Sequence, residues 1–244
     1  MRTLASKALC AIALTALAVP AWAEPDLSGT WERYPQPGDT ADPALVSPPI
    51  PDPPLKAEYK GPWLDNQAKL AARIAEGQPA GDNYVQCIPD GMPAMMQGMF
   101  PMEIFQRPEQ INITQEAFSQ PRRIYMGETL KPASELDPMF YGHSVGRWEG
   151  DTLVIETTGI KQSVTFRWVP HSEGMKITER LHLLTPDILR NDITVEDAYL
   201  AGPWTYSYTY RRMPGYKLLE YVCEDNRDYV DEQGRVTMRI AGHD

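Results

Sequence analysis

Residues 142–159, GHSVGRWEGDTLVIETTG, admit two folds, and only one of them lets the chain continue. Gly142, Ser144 and Gly146 fit G-x-S-x-G, in which a strained strand-to-helix turn lifts a serine toward an acyl carbon. That turn needs a helix after Gly146. The chain instead runs on through Arg147-Trp148-Glu149, the pair Gly150-Asp151, and then Thr152-Leu153-Val154-Ile155-Glu156-Thr157, which is β-branched, alternating and preceded by a tight-turn signal. The segment reads as a hairpin, and a serine hydrolase with Ser144 as nucleophile becomes the weaker enzyme class. With a two-residue turn, Arg147 pairs with Val154, Val145 with Glu156 and His143 with Thr158. His143, Arg147 and Glu156 then share one face, and Trp148, Leu153 and Ile155 the other.

The same period of two runs on from Met102. Strands are predicted near 102–107, 109–116, 121–126, 142–149, 152–158, 163–169, 175–184, 188–196, 204–212, 217–223 and 235–240, most of them separated by short Gly, Pro, Asn or Asp turns. Consecutive strands without intervening helical patterns predict a mainly β protein, an antiparallel meander closing into a lipocalin-like barrel. One short helix is expected after Pro62, with apolar positions at Leu64, Ala68, Ala71, Ala72 and Ala75 and Gly77 as its stop. Residues 35–54 are crowded with proline, which removes backbone donors and fixes extended conformations, so they form an arm. The chain divides into a signal peptide at 1–23, an N-terminal strand and Pro-rich arm at 24–61, and a helix plus single β-barrel domain at 62–244. The arm is a passive linker or a clasp on a partner subunit, the second giving a homo-oligomer.

Arg2 and Lys7, the apolar run Ala8–Val19 and Ala21-Trp22-Ala23 have the three-part layout of a secretory signal, so an exported, periplasmic or extracellular protein is expected. Cys10 leaves with that signal. No later run approaches the roughly 18 apolar residues of a membrane-spanning helix. Cys87 and Cys223 remain, and an even pair in an oxidising compartment predicts a disulfide. The formal net charge of −10 disfavours nucleic acid and anionic membrane as partners.

Four groupings are candidates for chemistry. On the hairpin, His143 and Arg147 form a site if their face lines the barrel; if it meets solvent they are ordinary surface residues, and a one-residue change of turn length exchanges the two. On 204–210, Trp204, Tyr206, Tyr208 and Tyr210 alternate with Thr205, Ser207 and Thr209, giving an aromatic ladder that either walls a ligand pocket or packs as core; Trp148, Phe166, Trp168 and Tyr221 can extend it. His171 sits in a loop before the strand carrying Glu179, Arg180 and His182, where a histidine is a possible acid or base. His182 and His243 rank below it. Glu103, inside Met102-Glu103-Ile104-Phe105, is a carboxylate forced inward or an unremarkable surface group. The histidines lack zinc-site spacing, so no metal is assigned, and no motif calls for a cofactor. Met92, Met95, Met96, Met99 and Met102 put five thioethers in eleven residues, which suits Cu(I) or the filling of an irregular core.

The hairpin segment, with PHSEGMKITERLHL, DITVEDAYLAGPWTYSYTYR and LLEYVCEDN downstream, resembles a family of exported bacterial proteins over roughly 87–226. That resemblance implies an address and brings no catalytic residue. Gly29-Thr30-Trp31 is similar to the G-x-W opening of lipocalin-like barrels, from which the Pro-rich arm and helix depart. The expectation is an exported barrel that binds a small apolar or aromatic molecule. Any catalysis on it would be proton transfer, as in a lyase, hydratase or isomerase, with His143 or His171 as acid or base and Arg147 on a developing anion. A non-catalytic carrier or an assembly module is the alternative.

Overall fold

The computed structural model describes residues 24–77, 87–164, 166–223, 228–230 and 236–238, so the expected signal peptide and His243 lie outside the described residues. Nine strands close into a barrel in chain order. They are β1 (Gly29–Tyr34), β2 (Met102–Gln106), β3 (Gln110–Gln115), β4 (Pro121–Met126), β5 (His143–Glu149), β6 (Thr152–Thr158), β7 (Lys176–Thr185), β8 (Ile188–Glu196) and β9 (Trp204–Arg212). β9 returns to pair with β1, Trp31 opposite Arg212 and Arg33 opposite Tyr210. A separate two-stranded sheet joins β10 (Asp228–Val230) to β11 (Val236–Met238).

The hairpin has the register that its turn dictates: His143 faces Thr158, Val145 faces Glu156 and Arg147 faces Val154. One seam departs from the antiparallel meander. β4 and β5 run parallel, Ile124 beside Ser144 and Met126 beside Gly146. The reason is parity, because strands around a closed ring can alternate in direction throughout only when their number is even. A parallel seam needs a long connection, and residues 127–142 supply it by crossing outside the barrel from the end of β4 back to the start of β5. At its end Gly142 takes φ +63°, where a Cβ would lie 2.6 Å from the Thr158 carbonyl oxygen, so only glycine can deliver the chain into β5.

Two predicted strands do not form. Around 163–169 the alternation is broken by left-handed backbone at Arg167 (φ 52°) and Trp168 (φ 60°), and 217–223 runs irregularly over the barrel end. α1 (Ala57–Ala75) starts five residues before Pro62, and Trp63 alone is buried in it. Trp63 Nε1 and Gln67 Nε2 both donate to the Arg167 carbonyl, at 3.1 and 2.9 Å, so the helix docks on that turn rather than laying an alanine face on the sheet.

The Pro-rich arm wraps its own barrel. Ser47 Oγ lies 2.7 Å from Thr209 Oγ1, Trp204 Nε1 donates to the Pro51 carbonyl at 2.9 Å, and Ala201 N donates to the Pro54 carbonyl at 2.7 Å. This is why Ser207 and Thr209, on the outer face of β9, are buried. The disulfide between Cys87 and Cys223 is present, with Cα atoms 5.7 Å apart. No helix among the described residues is long and apolar enough to cross a membrane.

Inside, the core consists of Leu, Ile and Val from β2 to β8, with Trp31, the ladder of β9, and Met92, Met95, Met96 and Met102. Each fully buried aliphatic side chain contributes about 1.5–3 kcal/mol of transfer free energy. The methionine segment enters past Gly91 (φ +70°), whose missing Cβ would sit 2.7 Å from the Phe140 carbonyl oxygen. Met92 N donates to that same carbonyl at 2.9 Å.

Candidate functional site

The β5–β6 register settles the faces by pairing. Ser144, Gly146, Trp148, Leu153, Ile155 and Thr157 turn inward, and His143, Arg147 and Glu156 turn outward. Arg147 therefore lines no interior. It is exposed and spent in a surface network, 2.7 Å from Glu156 and 3.0 Å from Glu149. Lys176 holds the other oxygen of Glu156 at 2.5 Å, and Arg180 pairs with Glu149 at 2.8 Å. Hydrogen bonds from Lys176 and then Arg147 hold the Glu156 carboxyl below its usual range.

Ser144 is no nucleophile elbow. It is fully buried in the middle of a strand, accepts from Arg122 Nε at 3.2 Å and lies 2.8 Å from Thr157 Oγ1, with its neighbour His143 on the opposite face. Glu103 is exposed, because the inward positions of β2 are Met102 and Ile104, and it pairs across the sheet with Thr30 and Thr114. His171 is buried, and its two ring nitrogens lie 2.8 Å from the carbonyls of Ser172 and Val164. Both are committed to holding the loop, so neither is free to move a substrate proton. The five thioethers share no surface, since Met92, Met95, Met96 and Met102 are in the core and Met99 is in solvent. Among the described residues no cluster of three His, Cys, Asp or Glu side chains could hold a metal ion.

The ladder does turn inward. Trp204, Tyr206, Tyr208 and Tyr210 are all buried, with successive ring centroids 4.9, 5.6 and 6.4 Å apart, and Phe166 joins at 5.7 Å from both Trp204 and Tyr206. Trp148 packs on the same core from β5, whereas Trp168 is exposed and Tyr221 lies against Phe118. The rings face a polar belt. Arg122 donates Nη2 to Thr157 Oγ1 at 2.9 Å and pairs with Glu179, whose second oxygen accepts from Asn191 Nδ2 at 2.9 Å. Arg122 Nη1, Asn191 Oδ1 and the hydroxyls of Tyr206 and Tyr208 have no partner among the described residues. Tyr210 donates to the Met96 carbonyl, and Arg33 stacks over the Tyr208 ring at 4.1 Å. Burial pushes the phenols of Tyr206, Tyr208 and Tyr210 well above their ordinary value.

The space at the Trp204 end of the ladder, under His171 and between Phe166, Val169 and Met175, is about 20 Å³, enough for one water. A cleft of ligand size lies outside, over the parallel seam. Its volume is 410 Å³, its floor is Pro121–Tyr125 and its far wall is the end of the crossover, Pro138–His143, with Lys161 closing one side. Met139 fixes that side, its N donating to the Gly159 carbonyl at 2.9 Å and its carbonyl accepting from Lys161 N at 3.0 Å. Lys161 Nζ then stands 4.4 Å from the Phe140 ring centroid. Tyr125, Phe140 and Tyr141 supply rings, and Arg123, Lys161 and His143 the polar groups. The Tyr141 phenol, raised to about 12 by burial and by the nearby Asp90, stays a neutral donor. A wider groove of 840 Å³ runs past Leu130, Pro132, Leu136 and Glu173, but it has no aromatic wall and its Lys176 is tied to Glu156.

Of the sequence candidates only His143 reaches this cleft. Its Nε2 lies 3.0 Å from the Asp137 carbonyl, an acceptor only, so in the neutral ring Nε2 carries the proton and Nδ1 presents a lone pair. Arg122 and Arg123 were missed, and the signal that could have found them is adjacency, since two arginines in succession on a strand put one guanidinium on each face. Lys161 and Phe140 gave no signal.

No family model matches the sequence, and no curated protein does. Among solved structures, a mutant of the fluorescent protein UnaG aligns at a TM-score of 0.34 with 14% identity, covering 77% of this chain and 96% of that one.

Proposed function

We propose that this is an exported ligand-binding barrel that seats a small molecule with a flat aromatic or apolar body in the cleft over the β4–β5 seam. The observation that carries this reading is the contrast between the two spaces. The space at the Trp204 end of the ladder holds a single water, while the seam cleft falls within the few hundred cubic ångströms of ordinary small-molecule sites and has three aromatic rings with a few polar groups. The ladder is core on this reading, and the cleft is what function uses. The disulfide suits an oxidising compartment, which agrees with the signal-like N-terminus. Titration calorimetry with 2-naphthamide, a neutral planar probe, is the test. Saturable 1:1 binding that weakens at least tenfold in Tyr125→Ala is expected, and probe binding that ignores Tyr125 would place the site elsewhere.

Proton transfer in the same cleft is the second reading, favoured by the free Nδ1 of His143 on its wall. Its mark is wash-in of deuterium at the benzylic carbon of phenylpyruvate, faster with protein than in buffer alone and lost in His143→Gln. A rate equal to that of buffer leaves a carrier.

A further inference from the structure

We infer that the ligand of the seam cleft carries a carboxylate, held by Arg123 with Lys161 beside it; this rests on the reading of the cleft as the binding site. The argument is one of charge left over. In a chain with 33 Asp and Glu against 23 Lys and Arg, acidic partners are in excess, and the outer face of the barrel uses them. Arg147, Lys176 and Arg180 are paired with Glu149 or Glu156, Arg190 with Asp192, and Arg211 with Glu32 and Asp39. The cleft is different. Its lining holds Arg122, Arg123, Lys161 and His143 and not one carboxylate. Neither Arg123 nor Lys161 has an acidic partner within 4.0 Å among the described residues, and Lys161 leans on the Phe140 ring instead.

Tyr141 backs the aromatic wall of the cleft. It is more than nine-tenths buried on the wall of the cleft, and its hydroxyl has no partner among the described residues. A guanidinium fork and an ammonium lining the same cleft fit a planar carboxylate attached to an aromatic body. Arg123 takes the two oxygens side by side, and the rings of Tyr125 and Phe140 take the body. Arg122 is not part of this grip, because its guanidinium is turned into the barrel toward Glu179.

The test compares 2-naphthoate with 2-naphthamide, which match in shape and differ in charge, by titration calorimetry on the disulfide-bonded protein. We expect the acid to bind at least tenfold tighter than the amide, the ratio to shrink as salt is raised from 20 to 300 mM, and Arg123→Gln to bring it to within about twofold of unity. Arg123 is exposed, so the variant keeps its fold, which circular dichroism and an unchanged melting midpoint verify. Equal affinity for the two probes, with both lost in Tyr125→Ala, overturns the carboxylate and leaves the cleft standing. A preference for the acid that survives in the double variant Arg123→Gln, Lys161→Gln also overturns it, by placing the anion elsewhere. Binding of neither probe removes the cleft as the site and the carboxylate with it.

Discussion

Single hydroxyls decide between packing and binding inside the barrel. Tyr206 and Tyr208 bury oxygens that have no partner among the described residues, and an unmet buried hydroxyl costs about 1–3 kcal/mol. Tyr206→Phe and Tyr208→Phe should therefore be neutral or raise stability by up to about 1 kcal/mol in urea unfolding. A loss of 1 kcal/mol or more would mean that the hydroxyls hold something. The same burial fixes an alkaline limit. Phenols with raised folded pKa keep their proton in the native state while the unfolded chain releases it near pH 10. The unfolded state then binds fewer protons, so stability is full below pH 10 and falls as pH rises above it. Absorbance at 295 nm should show these three tyrosines ionising together with loss of near-ultraviolet dichroism; separate, earlier ionisation would contradict their burial. At Glu179 the sequence shows only that this residue and its neighbour Arg180 point to opposite faces of one strand. That Glu179 pairs with Arg122 could not be read, because 57 residues separate the two and they meet only across the inner face of the curved run β4–β7.

Strands differ in how firmly they are held. The parallel seam has three paired positions, against nine along β7–β8. Amides of β4 and β5 facing that seam should exchange with solvent well before those of β7 and β8, by a factor of at least about 100, and uniform protection around the ring would argue against a weak seam. The β5–β6 hairpin was legible because Gly150-Asp151 fixes a turn and the turn fixes the pairing. The segment 163–169 misled because Val164, Phe166 and Trp168 alternate like a strand. Its shape is set from outside, by Trp63 and Gln67 on the Arg167 carbonyl and by His171 on Val164. The cleft was illegible for a related reason. Its walls come from 120–125, 138–143 and 161, stretches with no shared motif, brought together by a crossover whose need appears only once the strands are known to number nine.

At the scale of the molecule the disulfide closes a loop of 136 residues, worth at most about 5 kcal/mol in the chain-entropy model. Reduction, or Cys87→Ser with Cys223→Ser, should lower the urea midpoint by an amount corresponding to about 2–5 kcal/mol while leaving the barrel's far-ultraviolet spectrum intact below the transition. An unchanged midpoint would mean that the tie constrains little. The arm, by binding β9 of its own chain, gives the barrel an outer layer where an assembly clasp was one expectation.

The odd ninth strand makes the protein adaptable. Because one seam must be parallel, residues 127–142 travel outside the barrel, where most of their backbone takes no part in the ring of strands, and they carry one whole wall of the cleft. The stretch before Met139 can be lengthened, shortened or exchanged with little change to the pairing that keeps the barrel closed, whereas Met139, Phe140 and Gly142 are anchored to it. On the proposed reading, selectivity and solidity are thus written largely in different stretches of chain, and a library randomised over the crossover before Met139 would vary the surroundings of the cleft with the barrel pairing kept.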